Sequence, residues 1–319
     1  MDNIIRLIKE SSDIAIISHI NMDGDALGSS LGLMLALKKI GKNVTTYIEE
    51  NIPKRFEFLD NIDGILYYKD DMNFECHDTL IVVDVADKTL LGKRARMLDE
   101  ISTVIVIDHH AVHYKYSNNS YIDDNAAAAG ELIYELINRM NIEIDKVIAT
   151  CLYVAIATDT GRFKFNNTTK NTHMIAGDLI TYGIDVNMLG NKLFDENTKE
   201  RTKLIAKAIE TLETFENDKI ATMYITRDMI KDVMAKESDT EGIIDFVINI
   251  RGVEVGILVK EKENGMVRAS IRSKSYVDVS KIANEFGGGG HKMASGCTFD
   301  GDIREFKEKL VEYARREIK

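Results

Sequence analysis

Short apolar runs alternate with longer stretches of helical spacing through the first half of the chain. IAIIS (14–18) predicts a strand. It is followed by ALGSSLGLMLALKKIG, whose apolar spacing and closing Gly41 predict a helix stopped by a glycine. NVTTYI predicts a second strand. TLIVVDV (79–85) and TVIVI (103–107) are short apolar runs with polar residues on either side, as in strands covered on both faces. NAAAAGELIYELINRM and DKVIATCLYVAIATDTG predict helices, and the second is apolar nearly all round, which places it in the interior. This alternation predicts an α/β domain on a mainly parallel sheet, over residues 1–186.

The pattern then changes twice. Residues 187–217 are charged, carry no strand run and have helical spacing, so they predict a helical linker. Residues 218–319 predict a smaller α+β domain. Its strands fall at 219–226, 253–260 and 266–272, its helices around 240–248 and 278–285, and a last helix at 302–317. Within it lies FGGGGHKMASG, four consecutive glycines before His291. Pro53 is the sole proline, so no boundary is marked by proline.

Composition narrows the function. At 319 residues the chain has room for two domains, and 45% hydrophobic residues supply their cores. A formal net charge of -11 argues against a long duplex partner, which needs many cations to replace phosphate counterions. It leaves room for a small anionic ligand held by metal ions and a few local Arg or Lys residues. No apolar run reaches the length of a membrane span. The opening MDNIIRLIKESSD, with acids among its apolar residues, does not read as a signal peptide or anchor. The expectation is therefore no membrane. Cys76, Cys151 and Cys297 are scattered with no CxxC pair, which argues against disulfides or a thiolate zinc site and fits a reducing cytoplasm.

Four segments bear acids or histidines, each after an apolar run or at the end of a buried helix. ISHINMDGDALGS carries His19, Asp23 and Asp25 between a strand and a helix, with Gly24 allowing a sharp turn between the aspartates. In open α/β sheets ligands sit at the carboxyl ends of strands. IVVDVAD puts Asp84 in an apolar strand, where a carboxylate needs a cation or several donors. TVIVIDHH ends a strand in Asp108, His109 and His110. If the strand continues, the two imidazoles point to opposite faces, one to a metal and one to a substrate, with Asp108 orienting a ring. AIATDTGRF ends a buried helix in Asp159, followed by Arg162.

Each segment alone also fits an ordinary cap, salt bridge or surface turn. Together they place His19, Asp23, Asp25, Asp84, His109 and Asp159 at the ends of neighbouring elements of one sheet. Carboxylates and imidazoles without thiolates suit Mn²⁺ or Mg²⁺ better than structural zinc. Six ligands suit two ions, the usual clamp for phosphate ester hydrolysis.

In their order and separation, SHINMDGDALGS, VVDVAD, IDHH and ATDTGRF resemble the four motifs of the DHH phosphoesterase superfamily. SIRSKSYVDVSKIANEFGGGGHKMASG is similar to the glycine-rich signature of its DHHA1 C-terminal domain. The compact DHH–DHHA1 layout looks most like the bacterial nanoRNase type, a bifunctional oligoribonuclease and 3′-phosphoadenosine-5′-phosphate (pAp) phosphatase. Met22 stands where the family usually has proline, beside a ligand rather than at one.

The resemblance implies an α/β DHH domain joined by the linker to an α+β DHHA1 domain. It implies two divalent cations, Mn²⁺ ahead of Mg²⁺ or Co²⁺. His19, Asp23 and Asp84 would hold one, and Asp25, Asp84, His109 and Asp159 the other, with Asp84 bridging. His110 would meet the scissile phosphate, Asp108 would support it, and Arg162 counts with the catalytic group. In the second domain, Arg272 offers bidentate phosphate binding and the glycines let backbone N–H groups approach an anion. Arg272, Ser273, Gly289, Gly290 and His291 are the candidates there, with a cleft between the domains for the substrate. The implied partners are short single-stranded oligonucleotides and small nucleotides, and a homodimer is left open. The alternatives are a phosphodiesterase acting on cyclic dinucleotides or their linear products, and a non-catalytic nucleotide-binding protein.

Overall fold

The computed structural model describes residues 1–59, 64–85, 87–111, 116–262 and 264–318. The chain divides into two compact units, Met1–Glu196 and Asn197–Lys319.

The strands of the first unit are β1 (Asp13–Ile17), β2 (Asn43–Ile48), β3 (Ile65–Tyr67), β4 (Thr79–Val83), β5 (Thr103–Asp108) and β6 (Asn119–Ile122). Its helices are α1 (Asp2–Glu10), α2 (Gly24–Lys39), α3 (Met97–Glu100), α4 (Ala129–Arg139), α5 (Lys146–Asp159), α6 (Lys170–Thr181) and α7 (Val186–Gly190). The sheet runs in the order β3-β2-β1-β4-β5-β6. Every neighbouring pair is parallel. Strand order reverses between β1 and β4, and the crevice outside their carboxyl ends is where such a sheet binds ligands.

Alternation along the strands explains why both faces are covered. Ile14 and Ile16 of β1 enter the core made with α2, α4 and α5, while Ala15 and Ile17 enter the opposite core with Phe74, Leu80 and Leu91. The expected strands and helices of this unit are present. The sequence pattern missed β3 and β6, which lie at the two edges of the sheet and have no fully buried residue.

α2 and α5 are buried along nearly their whole length and lie against each other. Gly24, Gly28 and Gly32 recur every fourth residue of α2 and form the contact seam. A Cβ at Gly28 would fall on the Cys151 carbonyl oxygen, and one at Gly24 on the Thr158 hydroxyl. Gly24 has no left-handed φ. The sharp turn expected there is instead the first residue of a helix, and glycine is needed for close approach.

The second unit holds α8 (Lys199–Ile209), α9 (Arg227–Asp232), α10 (Ile244–Ile248), α11 (Val279–Asn284) and α12 (Ile303–Glu317). Its strands are β7 (Glu213–Phe215), β8 (Ile220–Ile225), β9 (Val255–Glu261), β10 (Val267–Ser273), β11 (Gly289–His291) and β12 (Ala294–Phe299). They form a mixed sheet in the order β11-β12-β10-β9-β8-β7, with β8 and β9 parallel and the other pairs antiparallel. One face packs on α11 and α12, the other on α8 and α10. The glycine stretch, which looks like a loop in sequence, begins the edge strand β11, and Lys292 and Met293 turn it into β12.

Residues 187–217 are shared between the two units. They contain α7, a π-helical turn at Asn191–Asp195, then α8 and β7. Leu204 and Ala208 of α8 pack with Met223, Ile225 and Val247 of the second core. β7 is three residues paired on one side only, too short to leave a run in the sequence. Among the described residues no helix is long and apolar enough to cross a membrane.

Candidate metal centre

The loops after β1, β4 and β5 and the end of α5 bring six side chains together. Asp23 is the N-cap of α2, and its Oδ1 accepts from the amides of Asp25 and Ala26 at 3.0 Å each. Asp84 lies one residue beyond β4 with φ 61, a left-handed backbone that costs energy for any residue with a side chain. Its amide still bonds Ile107 of the neighbouring strand at 2.9 Å. That conformation swings the carboxylate out of the strand direction, with only 2% of its side chain exposed.

The two oxygens of Asp84 face different partners. Oδ2 lies 3.5 Å from His19 Nε2, and Oδ1 lies 3.5 Å from His109 Nε2 and from His110 Nδ1. His109 Nε2 also lies 3.5 Å from Asp25 Oδ2 and 3.7 Å from Asp159 Oδ2. His19 Nε2 is 3.7 Å from Asp23 Oδ1. These separations exceed a hydrogen bond. They match donors that each sit about 2.1 Å from a shared cation. Three overlapping groups result: His19, Asp23 and Asp84; Asp25, His109 and Asp159; and Asp84, His109 and His110.

Both outer histidines are turned the same way. The Nδ1 of His19 donates to the Ile20 carbonyl at 2.7 Å, and that of His109 to the Ala126 carbonyl at 3.2 Å. Anchoring Nδ1 points Nε2 into the cluster, as in metal-bound histidines. Asp84 Oδ1 is buried and finds no hydrogen-bond partner among the described residues. An orphaned carboxylate oxygen between imidazole nitrogens and carboxylates fits a cation.

The electrostatics agree. Burial opposes charge on His19, but Asp23 and Asp84 outweigh it and push the imidazole up to about 10. Burial likewise opposes charge on His109, and Asp84, Asp25 and Asp159 push it up to about 10. Asp159 is pushed up to about 6, first by burial and then by Asp23 and Asp84, against the pull of His109. Asp25 is raised well above the usual carboxylate range by burial and by Asp84. Burial would raise Asp84 too, but His109 and His19 hold it below that range.

Cations bind neutral imidazole, so each histidine must release its proton when metal enters. With both rings raised to about 10 by the surrounding carboxylates, the charged form is favoured at pH 7.5 before metal enters. Metal binding should therefore release protons, giving a calorimetric enthalpy that varies with the buffer's ionisation heat, and affinity should rise with pH. A buffer-independent enthalpy would contradict this arrangement.

His110 is different. Its side chain is 50% exposed, and its Nδ1 is fixed 2.9 Å from Asp108 Oδ1. The Asp108 carboxylate raises its pKa against a smaller burial effect. Asp108 is fully buried and also accepts from the His109 amide at 2.8 Å and the His110 amide at 3.3 Å. The rings of His109 and His110 lie 4.4 Å apart on the same side. The expectation of opposite faces fails because β5 stops at Asp108, and alternation stops with it.

The Arg162 guanidinium pairs with Asp195 at 2.8 Å and lies 4.4 Å from the Phe194 ring, so among the described residues its contacts are on the side of Phe194 and Asp195 and not with the clustered acids and histidines. In the second unit, Arg272 shares the less buried face of β10 with Arg268 and Ser270. Ser273 falls on the opposite, buried face and donates to Glu254 at 3.0 Å. Gly289, Gly290 and His291 line the exposed edge strand β11.

Supporting residues escaped the sequence reading. Ser29 donates to Asp25 Oδ1 at 2.7 Å. The amides of Ala129 and Gly130, at the start of α4, donate to Asp25 at 2.6 and 3.0 Å. Asp25 thus caps a second helix. The signal was AAAAGE, a helix start with no capping side chain of its own. Asn167 donates to the Asp159 carbonyl at 3.1 Å and the Ala127 carbonyl at 3.0 Å, joining the end of α5 to the loop before α4.

Comparison with known proteins identifies the family. Residues 13–156 match the family model described as the DHH family, N-terminal domain, and residues 217–319 match the DHHA1 domain. The chain is 30% identical over 311 residues to a Thermus thermophilus protein named bifunctional oligoribonuclease and PAP phosphatase NrnA, covering 96% of this chain and 90% of that one. It is 29% identical over 300 residues to the Bacillus subtilis protein of the same name, covering 92% of each. A crystal structure of an exopolyphosphatase-related protein from Bacteroides fragilis superposes with a TM-score of 0.90 at 26% identity, over 98% of this chain and 95% of that one.

Proposed function

Since the chain belongs to the DHH family and carries a DHHA1 domain, we propose that it is a metal-dependent phosphoesterase. Its substrates on this reading are short oligonucleotides, cut to mononucleotides, and pAp, cut to AMP. The observation that carries the reading is the divided carboxylate of Asp84, one oxygen toward His19 and the other toward His109. The names of the Thermus and Bacillus relatives support the choice of substrates.

On this reading His19, Asp23 and Asp84 hold one divalent cation, and Asp25, Asp84, His109 and Asp159 the other, with Mn²⁺ the metal best matched to the donors. When bound, such a pair supplies Lewis acidity and a water of lowered pKa at neutral pH. The protein's own part is orientation and charge. His110 is half-exposed, and the Asp108 carboxylate raises its pKa; its Nε2 donates to a phosphate oxygen as negative charge develops there. Asp25, already satisfied by Ser29 and two amides, stays fixed while the substrate changes. Arg272, with backbone groups of Gly289 and Gly290 and the His291 side chain, binds substrate phosphate or sugar. The Ser273 hydroxyl, engaged by Glu254, is left out of this set.

The test is a Mn²⁺-dependent hydrolysis panel of two- to ten-mer RNA, pAp, linear and cyclic dinucleotides, and pyrophosphate. Di- to pentanucleotides and pAp should be the favoured substrates. Turnover of pyrophosphate or cyclic dinucleotides alone would overturn the reading.

A further inference from the structure

Glu254, just before β9, is 6% exposed yet accepts five hydrogen bonds. The donors are the Ser273 hydroxyl at 3.0 Å, the Ser275 hydroxyl at 2.7 Å, and the amides of Ser275, Tyr276 and Val277 at 3.0, 2.8 and 3.1 Å. Burial alone would raise its pKa, but the Ser275 hydroxyl and these amides together hold it below the usual carboxylate range. A buried carboxylate with this many donors fixes a loop in one conformation.

What that loop presents is an aromatic ring. Tyr276 is 46% exposed, and no ring partner is found for it among the described residues. The loop lies beside the turn joining β11 to β12. The Ser273 amide donates to the Met293 carbonyl at 3.0 Å, and the Val279 amide to the Lys292 carbonyl at 2.9 Å. Arg272 pairs in register with Ala294, which in turn pairs with His291. The loop that carries this exposed ring is thus hydrogen-bonded at both ends to the turn that follows His291, and it leaves β10 at Ser273, directly after Arg272.

We propose that Tyr276 is a stacking platform for a nucleobase of the substrate, held in place by Glu254. The proposal rests on the reaction proposed above and adds to it a determinant of base binding. Cations chiefly neutralise phosphate, whereas an aromatic face stacks on any of the four bases. Fixing the ring beforehand lowers the ordering cost of binding.

The experiment uses the full chain with Mn²⁺ and two readouts. In the first, KM is measured for a dinucleotide and for the same dinucleotide with its bases removed. Tyr276→Ala should raise KM for the dinucleotide by about tenfold or more, the range for losing one base–aromatic stack. It should leave the abasic compound unchanged, and Tyr276→Phe should resemble wild type on both. In the second, 2-aminopurine riboside monophosphate is titrated by fluorescence. Wild type and Tyr276→Phe should quench it, and Tyr276→Ala should not. An equal change for both substrates, or a Tyr276→Ala variant that quenches like wild type, overturns the platform. Quenching by a wild-type protein that hydrolyses no oligonucleotide upholds the platform and overturns the reaction instead.

Discussion

Asp84→Asn should lower oligonucleotide turnover at least about a thousandfold, more than the loss of a single charge-stabilising group alone. The amide keeps the size of the side chain but replaces one oxygen with a donor. Whichever way it turns, one of the two imidazole groups, at His19 or at His109, loses its shared acceptor. On the two-cation reading, metal content should fall from two ions per chain toward one or none, measured by elemental analysis after gel filtration. Asp23→Asn makes a useful comparison. Asp23 is half-exposed and belongs to only one of the groups, so its loss should cost less and spare the other ion. Wild-type turnover with two ions bound in Asp84→Asn would remove Asp84 from the centre of the site.

Gly28→Ala should lower the urea midpoint of the first unit by an amount equivalent to about 1–3 kcal/mol. In an ordinary helix this change would stabilise by up to about 1 kcal/mol, because alanine is the better helix former. Here the new Cβ would land on the Cys151 carbonyl oxygen and lie 3.0 Å from the Ala155 amide nitrogen. Both are backbone atoms of a buried helix and cannot turn aside, so α2 and α5 must separate. Gly32→Ala meets the Leu152 Cδ2 at 2.9 Å, the end of a flexible side chain, and should cost less. Metal affinity should fall with stability in Gly28→Ala. The two helices end in Asp23, Asp25 and Asp159, and a wider seam separates those carboxylates. Circular dichroism during urea titration tests the first point, and metal titration the second. An unchanged midpoint would mean that the seam has slack.

Much of the candidate site was legible because its acids and imidazoles sit where chain patterns change. His19, Asp84 and Asp108 each end an apolar run, and Asp159 ends a helix too apolar to be exposed. Those transitions are local, and a one-dimensional pattern records them. The orientation of His109 and His110 was not legible, since it depends on where β5 stops pairing. The role of Gly24 was misread for a similar reason: its constraint is Thr158, 134 residues away. Asp25 capping α4 and Glu254 gathering the loop at Ser275 are likewise contacts through space. Their sequence traces are absences, a helix start without a cap and a serine-rich turn without an evident acceptor. In the fold, the two-sided apolar strands were plain, whereas edge strands such as β3, β6 and β7 bury too little to leave a run.

The double duty of Asp25 has a practical consequence. Its carboxylate is secured by Ser29 and by the first amides of α4, so its position is set by the polypeptide and not by a cation. In small zinc domains, by contrast, metal binding itself supplies the folding energy. Here chelation would empty a cavity whose walls already stand, leaving a dormant but intact enzyme that resumes work on recharging. Metal supply would then set how many copies are active at a given moment without any being made or destroyed.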